Sequence, residues 1–235
     1  MLSPAIQKFQ DCKAILLDFG GTLDSDGGHW LDRFYSLYEK ADLNLPLSDI
    51  KRAFYHADEI CCADPEVNSM GFRELMSLHV RLQFEALNLH NIEAEQRLSE
   101  SFCRECETFL RRNARILHNL SRIFRLGVIS NFYGNVAVLC EEAGLFNIMD
   151  IILDSTIVGI KKPDPQIFQL ALKDLRLAPQ EVAFVGDSFE HDMIPAQCLG
   201  MKTIWLKGPN PRVPPNPGPV DCIISSLADL ETLVI

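Results

Sequence analysis

Short apolar runs bounded by glycine, proline or polar residues recur towards both ends of the chain, and they predict β-strands. The predicted strands are residues 14–18, 126–130, 150–153, 182–185, 202–205 and 222–224. Apolar residues at helical spacing between them predict helices over residues 115–124, 134–143, 166–175 and 192–199. Strands that alternate with helices in this way predict an α/β fold with a Rossmann-like, doubly wound parallel sheet as its core.

Residues 24–112 follow a different pattern. The strand-like runs vanish, and apolar residues recur every three or four positions, as in the segment that begins at Leu31. Three further stripes follow it, and Ser48 is the predicted N-cap of the first of them. We therefore predict an all-helical cap of about four helices over residues 24–112. It is inserted into a core formed by residues 1–23 and 113–235.

The bulk composition narrows the class of protein. A chain of 235 residues that is 47% hydrophobic can form one large α/β domain, or a core with an insert. A formal charge of −10 argues against a nucleic-acid-binding surface, which would be basic. No apolar run reaches the roughly 18 residues of a membrane span, and residues 1–13 lack the apolar stretch of a secretion signal. We therefore expect a cytoplasmic protein with no nucleic-acid partner and no membrane association, whose oligomeric state the sequence leaves open.

Eight cysteines are scattered through the chain, a usage typical of reduced, buried thiols in a cytosolic protein. Cys103 and Cys106 form a C-x-x-C pair, and Cys61 and Cys62 are adjacent, so that four sulfurs could hold zinc. The segment around Cys103 has helical spacing and lacks the turn residues of a zinc knuckle. We therefore favour reduced thiols over a zinc site.

A segment with six prolines, Gly208–Pro219, separates the last two predicted strands. Proline has no N–H and a fixed φ, so this segment cannot form a regular helix or a strand within a sheet. We predict an exposed loop there.

Polar residues follow several predicted strands at the point where each strand ends. Asp18 ends the first strand and is followed at once by two glycines, which let backbone N–H groups approach an anion. A strand-ending Asp or Ser is most often a turn former. However, the carboxyl ends of parallel strands face one crevice, where ligands bind. Together the polar residues in question form a chemically coherent set: Asp18, Thr22, Ser130, Asn131, Lys162, Asp187 and Asp192.

Four motifs in this order resemble those of the haloacid dehalogenase-like hydrolase superfamily. They are Asp18-Phe-Gly-Gly-Thr22-Leu-Asp24, Ser130-Asn131, Gly159-Ile-Lys-Lys162-Pro-Asp-Pro-Gln-Ile-Phe168 and Val185-Gly-Asp187-Ser-Phe-Glu-His-Asp192. The resemblance covers the whole chain, and the helical segment between the first and second motifs looks like the helical cap of that family. It implies a hydrolase, and most often a phosphatase.

The resemblance also implies a role for each motif residue. Asp18 would attack phosphorus and form an aspartyl-phosphate, while Lys162, with Lys161 as the neighbouring alternative, would offset negative charge. Phosphoryl oxygens would be held by the hydroxyls of Thr22 and Ser130 and by the backbone N–H of Asn131. Mg²⁺ would be held by Asp18, the Gly20 carbonyl, Asp187 and Asp192. The implied activity is that of a Mg²⁺-dependent phosphomonoesterase acting on a small phosphorylated metabolite.

Gly20 departs from the pattern of the family. Phosphatases of the family usually carry a second Asp at this position, which protonates the leaving group and later activates water. General acid–base catalysis contributes typically about 10²–10⁴-fold, so its loss is not small. Four other residues are candidates for the missing acid–base group, namely Asp24, Asp26, His29 and His191.

Three other functions stay open at this stage. A dehalogenase resembles this chain but tends to carry Tyr at the position of Gly20 and does not need the metal carboxylates. A phosphonate hydrolase carries Ala there and uses a cap lysine to form a Schiff base, for which Lys51 is a candidate. A third possibility is a regulatory module that keeps the phosphate and Mg²⁺ site but turns over slowly or not at all. The candidate substrate contacts are His29, Trp30 and Arg33.

Overall fold

A parallel sheet forms the centre of the computed structural model, which describes residues 9–209, 211 and 218–234. Its strands are β1 (Ala14–Leu17), β2 (Arg125–Ser130), β3 (Met149–Asp154), β4 (Val182–Gly186), β5 (Lys202–Leu206) and β6 (Cys222–Ile224). They form a six-stranded sheet in the order β3-β2-β1-β4-β5-β6, and every neighbouring pair is parallel. The predicted α/β fold with a Rossmann-like, doubly wound core is therefore confirmed.

Helices cover the sheet and fill the segment between the first two strands. They are α1 (Trp30–Lys40), α2 (Leu47–Ala63), α3 (Phe72–Ala86), α4 (Ile92–Leu120), α5 (Val136–Glu142), α6 (Ser155–Val158), α7 (Pro165–Leu175), α8 (Ile194–Leu199) and α9 (Asp229–Val234). In the described part of the chain, no helix is long and apolar enough to cross a bilayer. Most of the predicted proline-rich loop, residues 210 and 212–217, lies outside the described residues.

Strand β1 lies in the middle of the sheet, and all four of its residues are fully buried. Ile15 and Leu17 belong to the apolar cluster that also contains the cores of α1–α4. Ala14 and Leu16 belong to the cluster on the opposite face of the sheet. Because successive strand residues point to opposite faces and both faces are covered, the strand is a continuous apolar run.

Helix α4 differs from the prediction. The sequence predicts two helices, with a domain boundary at residue 112, whereas the structure has one helix of 29 residues. The polar residues near that boundary are bonded to the loop after β1, and so they do not interrupt the helix. Asn113 is buried and its Nδ2 donates to the carbonyl of Leu23 at 2.8 Å, while Arg112 pairs with Asp26 at 2.6 Å. The division into a core and a cap stays a prediction, and α4 would belong to both.

The start of α2 also differs from the prediction. The helix begins at Leu47 with Pro46 as its N-cap, so Ser48 lies in the first turn and does not cap it. The fixed φ of proline is compatible with this position, since Pro46 has a φ of −58°. The general position of the helix is as predicted.

Candidate active site

The polar strand ends meet at the carboxyl edge of the sheet. Asp18 directly follows β1, Ser130 ends β2 and Asp187 directly follows β4. Strand β1 is hydrogen-bonded to both β2 and β4, so these residues are brought side by side. They line a cleft of about 630 Å³, to which α1 and α2 also contribute residues.

One buried lysine links two carboxylates in this cleft. The Nζ of Lys162 lies 2.9 Å from Oδ1 of Asp18 and 2.6 Å from Oδ1 of Asp192. Burial lowers the pKa of Lys162, but the charges of Asp18 and Asp192 outweigh it and leave the pKa raised overall. The lysine is therefore a permanent positive charge beside Asp18.

Hydrogen bonds fix the carboxylate of Asp18 in one orientation. Its Oδ1 accepts from the hydroxyl of Ser130 at 2.7 Å and from the backbone N–H of Phe19 at 2.7 Å. The side chain is 11% exposed, so it reaches the cleft from a mostly enclosed position. A carboxylate held in this way has the fixed orientation that a nucleophile requires.

The side chain of Asn131 positions the backbone of Lys162. Its Nδ2 donates to the Lys162 carbonyl, and its Oδ1 accepts from the Lys162 N–H, both at 2.8 Å. The sequence prediction gave Asn131 a phosphate contact through its backbone N–H, and this role stays a prediction. The sequence does not predict these two hydrogen bonds to the Lys162 backbone, because the two residues belong to distant segments.

Three carboxylates form the candidate metal centre. Oxygens of Asp18, Asp187 and Asp192 all lie within 4.8 Å of one another. With the Lys162 ammonium they carry a formal charge of −2, and their all-oxygen donors fit Mg²⁺. Burial, and then the charges of Asp18 and Asp192, raise the pKa of Asp187 well above its usual range. A divalent cation would offset the repulsion between the three carboxylates, so the residues present fit the metal.

The cysteines do not offer a competing metal site. Among the residues that the structure describes, the three aspartates are the group placed closely enough to hold an ion, and no set of cysteines is. None of the eight cysteines, all of which lie in the described part of the chain, forms a disulfide bond. Burial raises the pKa of Cys61 and of Cys103 to about 12, which keeps both thiols protonated and inert.

Gly21 allows the loop after β1 to approach Asp187. Its φ is +84°, and a Cβ at this position would lie 2.7 Å from Oδ2 of Asp187. Any other residue would combine backbone strain with a clash against the candidate metal centre. The Thr22 hydroxyl next to it donates to Oδ1 of Asp187 at 3.3 Å, so this close approach aligns the two motifs.

Gly20 lines the cleft but is not required by the backbone. Its φ lies outside the left-handed region, and a Cβ would meet Phe132 and Trp30 at 3.7 Å, which is ordinary contact. A side chain at this position is therefore compatible with the local structure. The absence of the acid–base group is a property of the sequence that packing does not impose.

Two of the four residues predicted to replace the acid–base side chain missing at Gly20 do not line the cleft. Asp24 is fully buried, and accepts from the Gly21 N–H at 2.6 Å and from the indole N–H of Trp30 at 2.5 Å. Asp26 is paired with Arg112. Arg33, a predicted substrate contact, is also turned away from the cleft, because its guanidinium pairs with Asp24 at 3.3 Å. These residues hold the loop after β1 against the helices.

The other two substitutes do line the cleft. His29 has its Nδ1 occupied, since it accepts from the Leu31 N–H at 3.1 Å and caps α1. The Nδ1 of His191 lies 3.1 Å from the Ser188 hydroxyl, and burial lowers the pKa of His191. Trp30 also lines the cleft, as predicted for a substrate contact. Lys51 is exposed and is not among the lining residues.

The stabilisation by Mg²⁺ is expected to depend on pH. Burial raises the pKa of Asp192 from 3.8 to about 6, so the metal-free folded protein loses stability as pH rises from about 4 to about 6. A Mg²⁺ ion would have to displace the proton of Asp192 at about pH 5 but would meet an ionised Asp192 at about pH 7.5. We therefore expect a larger rise in melting temperature with Mg²⁺ at about pH 7.5 than at about pH 5, measured by thermal unfolding with Mg²⁺ and with EDTA. Equal rises at the two pH values would contradict this assignment, and Asp187→Asn should abolish the difference.

Residues 12–200 match the model of the haloacid dehalogenase-like hydrolases. The chain belongs to this family. The match covers all four motifs and the helical segment between the first two, so the resemblance drawn from the sequence is confirmed. With the family established, the acidic edge of the sheet is the candidate active site of a hydrolase.

Named relatives within the family align over part of their length. The human haloacid dehalogenase-like hydrolase domain-containing protein 3 is 34% identical over 134 residues, which are 56% of this chain and 48% of that protein. A glyceraldehyde 3-phosphate phosphatase of Pyrococcus abyssi is 38% identical over 87 residues, which are 36% of this chain and 36% of that protein. This chain therefore spans less than half the length of these relatives.

Solved structures of haloacid dehalogenase-like proteins share the fold over almost the whole chain. A dehalogenase structure with an intermediate complex superposes with a TM-score of 0.63 at 18% identity, covering 96% of this chain and 98% of that one. At this identity the similarity shows the fold alone.

Proposed function

We propose that this chain is a Mg²⁺-dependent phosphomonoesterase that hydrolyses a small phosphorylated metabolite through an aspartyl-phosphate on Asp18. The observation that carries the proposal is the acidic centre beside Asp18, whose charge is only partly offset by Lys162. Relatives that are named phosphatases support the reaction type. Eight cysteines without a disulfide bond among them support a reducing, cytoplasmic location.

Each residue of the site has a place in this reaction. The Asp18 carboxylate attacks phosphorus, and Lys162 reduces the repulsion between this anion and the phosphoryl group. The hydroxyls of Thr22 and Ser130 and the N–H of Asn131 hold phosphoryl oxygens. Mg²⁺ would be held by Asp18, Asp187, Asp192 and the Gly20 carbonyl, and it would supply polarisation of the phosphoryl group. Water then cleaves the aspartyl-phosphate and restores Asp18.

Phosphate release from a generic aryl phosphate tests this proposal. We expect turnover with Mg²⁺ and a loss to background with EDTA, because the acidic centre then repels the phosphoryl group. Phosphate release that EDTA leaves unchanged would refute the metal dependence. Halide release from a 2-haloacid without any phosphate release would refute the reaction type.

Gly20 favours a second candidate, a regulatory module that binds phosphate and Mg²⁺ with slow or no turnover. The candidate rests on the missing acid–base side chain at this position. Calorimetric binding of inorganic phosphate that requires Mg²⁺, in a protein without measurable turnover, would support it. A Schiff-base phosphonate hydrolase loses support, because Lys51 does not line the cleft.

A further inference from the structure

A chain of buried polar side chains crosses the otherwise apolar interior of the helical segment. Tyr38 of α1 and His79 and Gln83 of α3 are all fully buried. The Tyr38 hydroxyl lies 3.3 Å from Oε1 of Gln83, and Nε2 of Gln83 lies 2.9 Å from Nδ1 of His79. Nε2 of His79 lies 3.0 Å from Oδ1 of Asp58 in α2. Burying a polar group costs free energy unless the group is hydrogen-bonded, so the presence of these buried polar side chains in an apolar interior needs a physical explanation.

The hydrogen bonds in this series of buried side chains all run in the same direction, from Tyr38 towards Asp58. The amide oxygen of Gln83 can only accept, so Tyr38 donates to it and the amide nitrogen donates to Nδ1 of His79. A neutral imidazole that accepts at Nδ1 carries its proton on Nε2. His79 therefore donates to Oδ1 of Asp58, and the chain ends on that carboxyl group.

Asp58 receives a second hydrogen bond from the core. The hydroxyl of Tyr133, in the loop after β2, donates to the same Oδ1. Burial, and then the Asp58 charge, raise the pKa of Tyr133 well above its usual range, so the phenol stays a donor. Oδ2 of Asp58 has no hydrogen-bond partner within the described part of the chain.

Asp58 also lines the cleft that contains Asp18, and its side chain is 25% exposed. It is thus a carboxyl group in the active-site cleft that stands apart from the nucleophile and the metal centre. His79 of α3 and Tyr133 of the loop after β2 both donate hydrogen bonds to Asp58, and these bonds fix the orientation of its carboxyl group. This arrangement is what a general acid–base needs, namely a held carboxyl group with one free oxygen.

We propose that Asp58 is the general acid–base of this active site and replaces the side chain missing at Gly20. This inference rests on the proposed phosphomonoesterase function. As the Asp18–phosphorus bond forms and the ester P–O bond breaks, Oδ2 of Asp58 gives its proton to the departing alcohol. In the second step the Asp58 carboxylate takes a proton from the attacking water, and the Asp18–phosphorus bond breaks. The products are the alcohol and inorganic phosphate, with Asp58 protonated again.

Asp58→Asn tests this role through the dependence on the leaving group. Single-turnover release of the alcohol reports the first step, and we would compare an alkyl phosphate with p-nitrophenyl phosphate. The alkyl alkoxide needs a proton to leave, so its release should fall by about 10²–10⁴-fold, whereas that of p-nitrophenolate should fall by less than about tenfold. Asn keeps an acceptor for His79 and Tyr133, so the fold is expected to persist. Should Asp58→Asn fail to fold, Asp58→Ser gives the same comparison.

Two further variants separate chemistry from structure. Glu59→Gln, an exposed neighbour on the same helix, should leave both rates unchanged. Gly20→Asp, whose Cβ fits the local packing, should restore alkyl phosphate cleavage in the Asp58→Asn background. If the wild-type enzyme is active with Mg²⁺, equal losses for the two substrates in Asp58→Asn, or no loss for either, would overturn the role of Asp58. A wild-type protein without Mg²⁺-dependent phosphate release would instead refute the proposed function.

Discussion

Asp18→Asn is expected to reduce Mg²⁺-dependent phosphate release by at least about 10⁴-fold, because the variant has no nucleophile to form the aspartyl-phosphate. The amide has nearly the same shape as the carboxylate and can still accept from Ser130 and the Phe19 N–H. Steady-state phosphate release at saturating substrate measures the effect. Acid quenching during turnover should yield a phosphorylated peptide that contains residue 18 in the wild type only.

The stability of Asp18→Asn separates this loss from unfolding. Removing one of three clustered carboxylates relieves the repulsion that contributes to the raised pKa of Asp187. This relief opposes the loss of the ion pair between Asp18 and Lys162, so the melting temperature in EDTA should change little, while the gain on adding Mg²⁺ should shrink. A variant that retains near-wild-type turnover would exclude Asp18 as the nucleophile.

Lys162→Met is expected to affect both catalysis and stability. Methionine fills a similar volume, but the carboxylates of Asp18 and Asp192 lose the ammonium that lies 2.9 and 2.6 Å away. Removing one partner of a buried ion pair costs about 3–5 kcal/mol, so the metal-free variant should unfold at a lower denaturant concentration. We expect turnover to fall by about 10²–10³-fold, as for the loss of one electrostatic contact to the reacting group.

Lys161→Met is the matched control for this variant. Lys161 is exposed and also lines the cleft, but no ion pair with Asp18 or Asp192 is formed by it in the described structure. Its replacement should change turnover by less than about tenfold and leave stability within about 0.5 kcal/mol. Similar losses for the two variants would mean that Lys162 acts only through the general charge of the cleft.

The sequence predicts the sheet and the meeting of its polar ends for a simple physical reason. A strand buried on both faces is a continuous apolar run, so the polar residue that ends it is conspicuous. Asp18, Ser130 and Asp187 each end such a run, and parallel pairing with β1 places them together. Topology alone therefore accounts for this part of the site, whereas the roles of these residues stay predictions.

Features that depend on contacts between distant segments are missed. The polar character of residues near 112 predicts a helix boundary, but Asn113 is satisfied by the carbonyl of Leu23 and the helix continues. Asp58 is one acidic residue among many on helical surfaces until His79 and Tyr133 are seen beside it. One signal was available, since His79 and Gln83 are polar residues one turn apart on the apolar stripe of α3.

The continuous helix α4 sets the mechanics of any lid motion over the cleft. At about 1.5 Å per residue its 29 residues form a rod about 44 Å long, which reaches from the helical segment to the base of β2. The other covalent connection, between β1 and α1, is a loop. The loop is tied to the helix near residue 113, since Asn113 bonds to the carbonyl of Leu23 and Arg112 pairs with Asp26. The four helices would therefore tilt about this shared point and would not lift on two separate hinges. Such a tilt would change the distance between Asp58 on α2 and Asp18 at the end of β1, and it would couple the lid position to the proposed proton transfer.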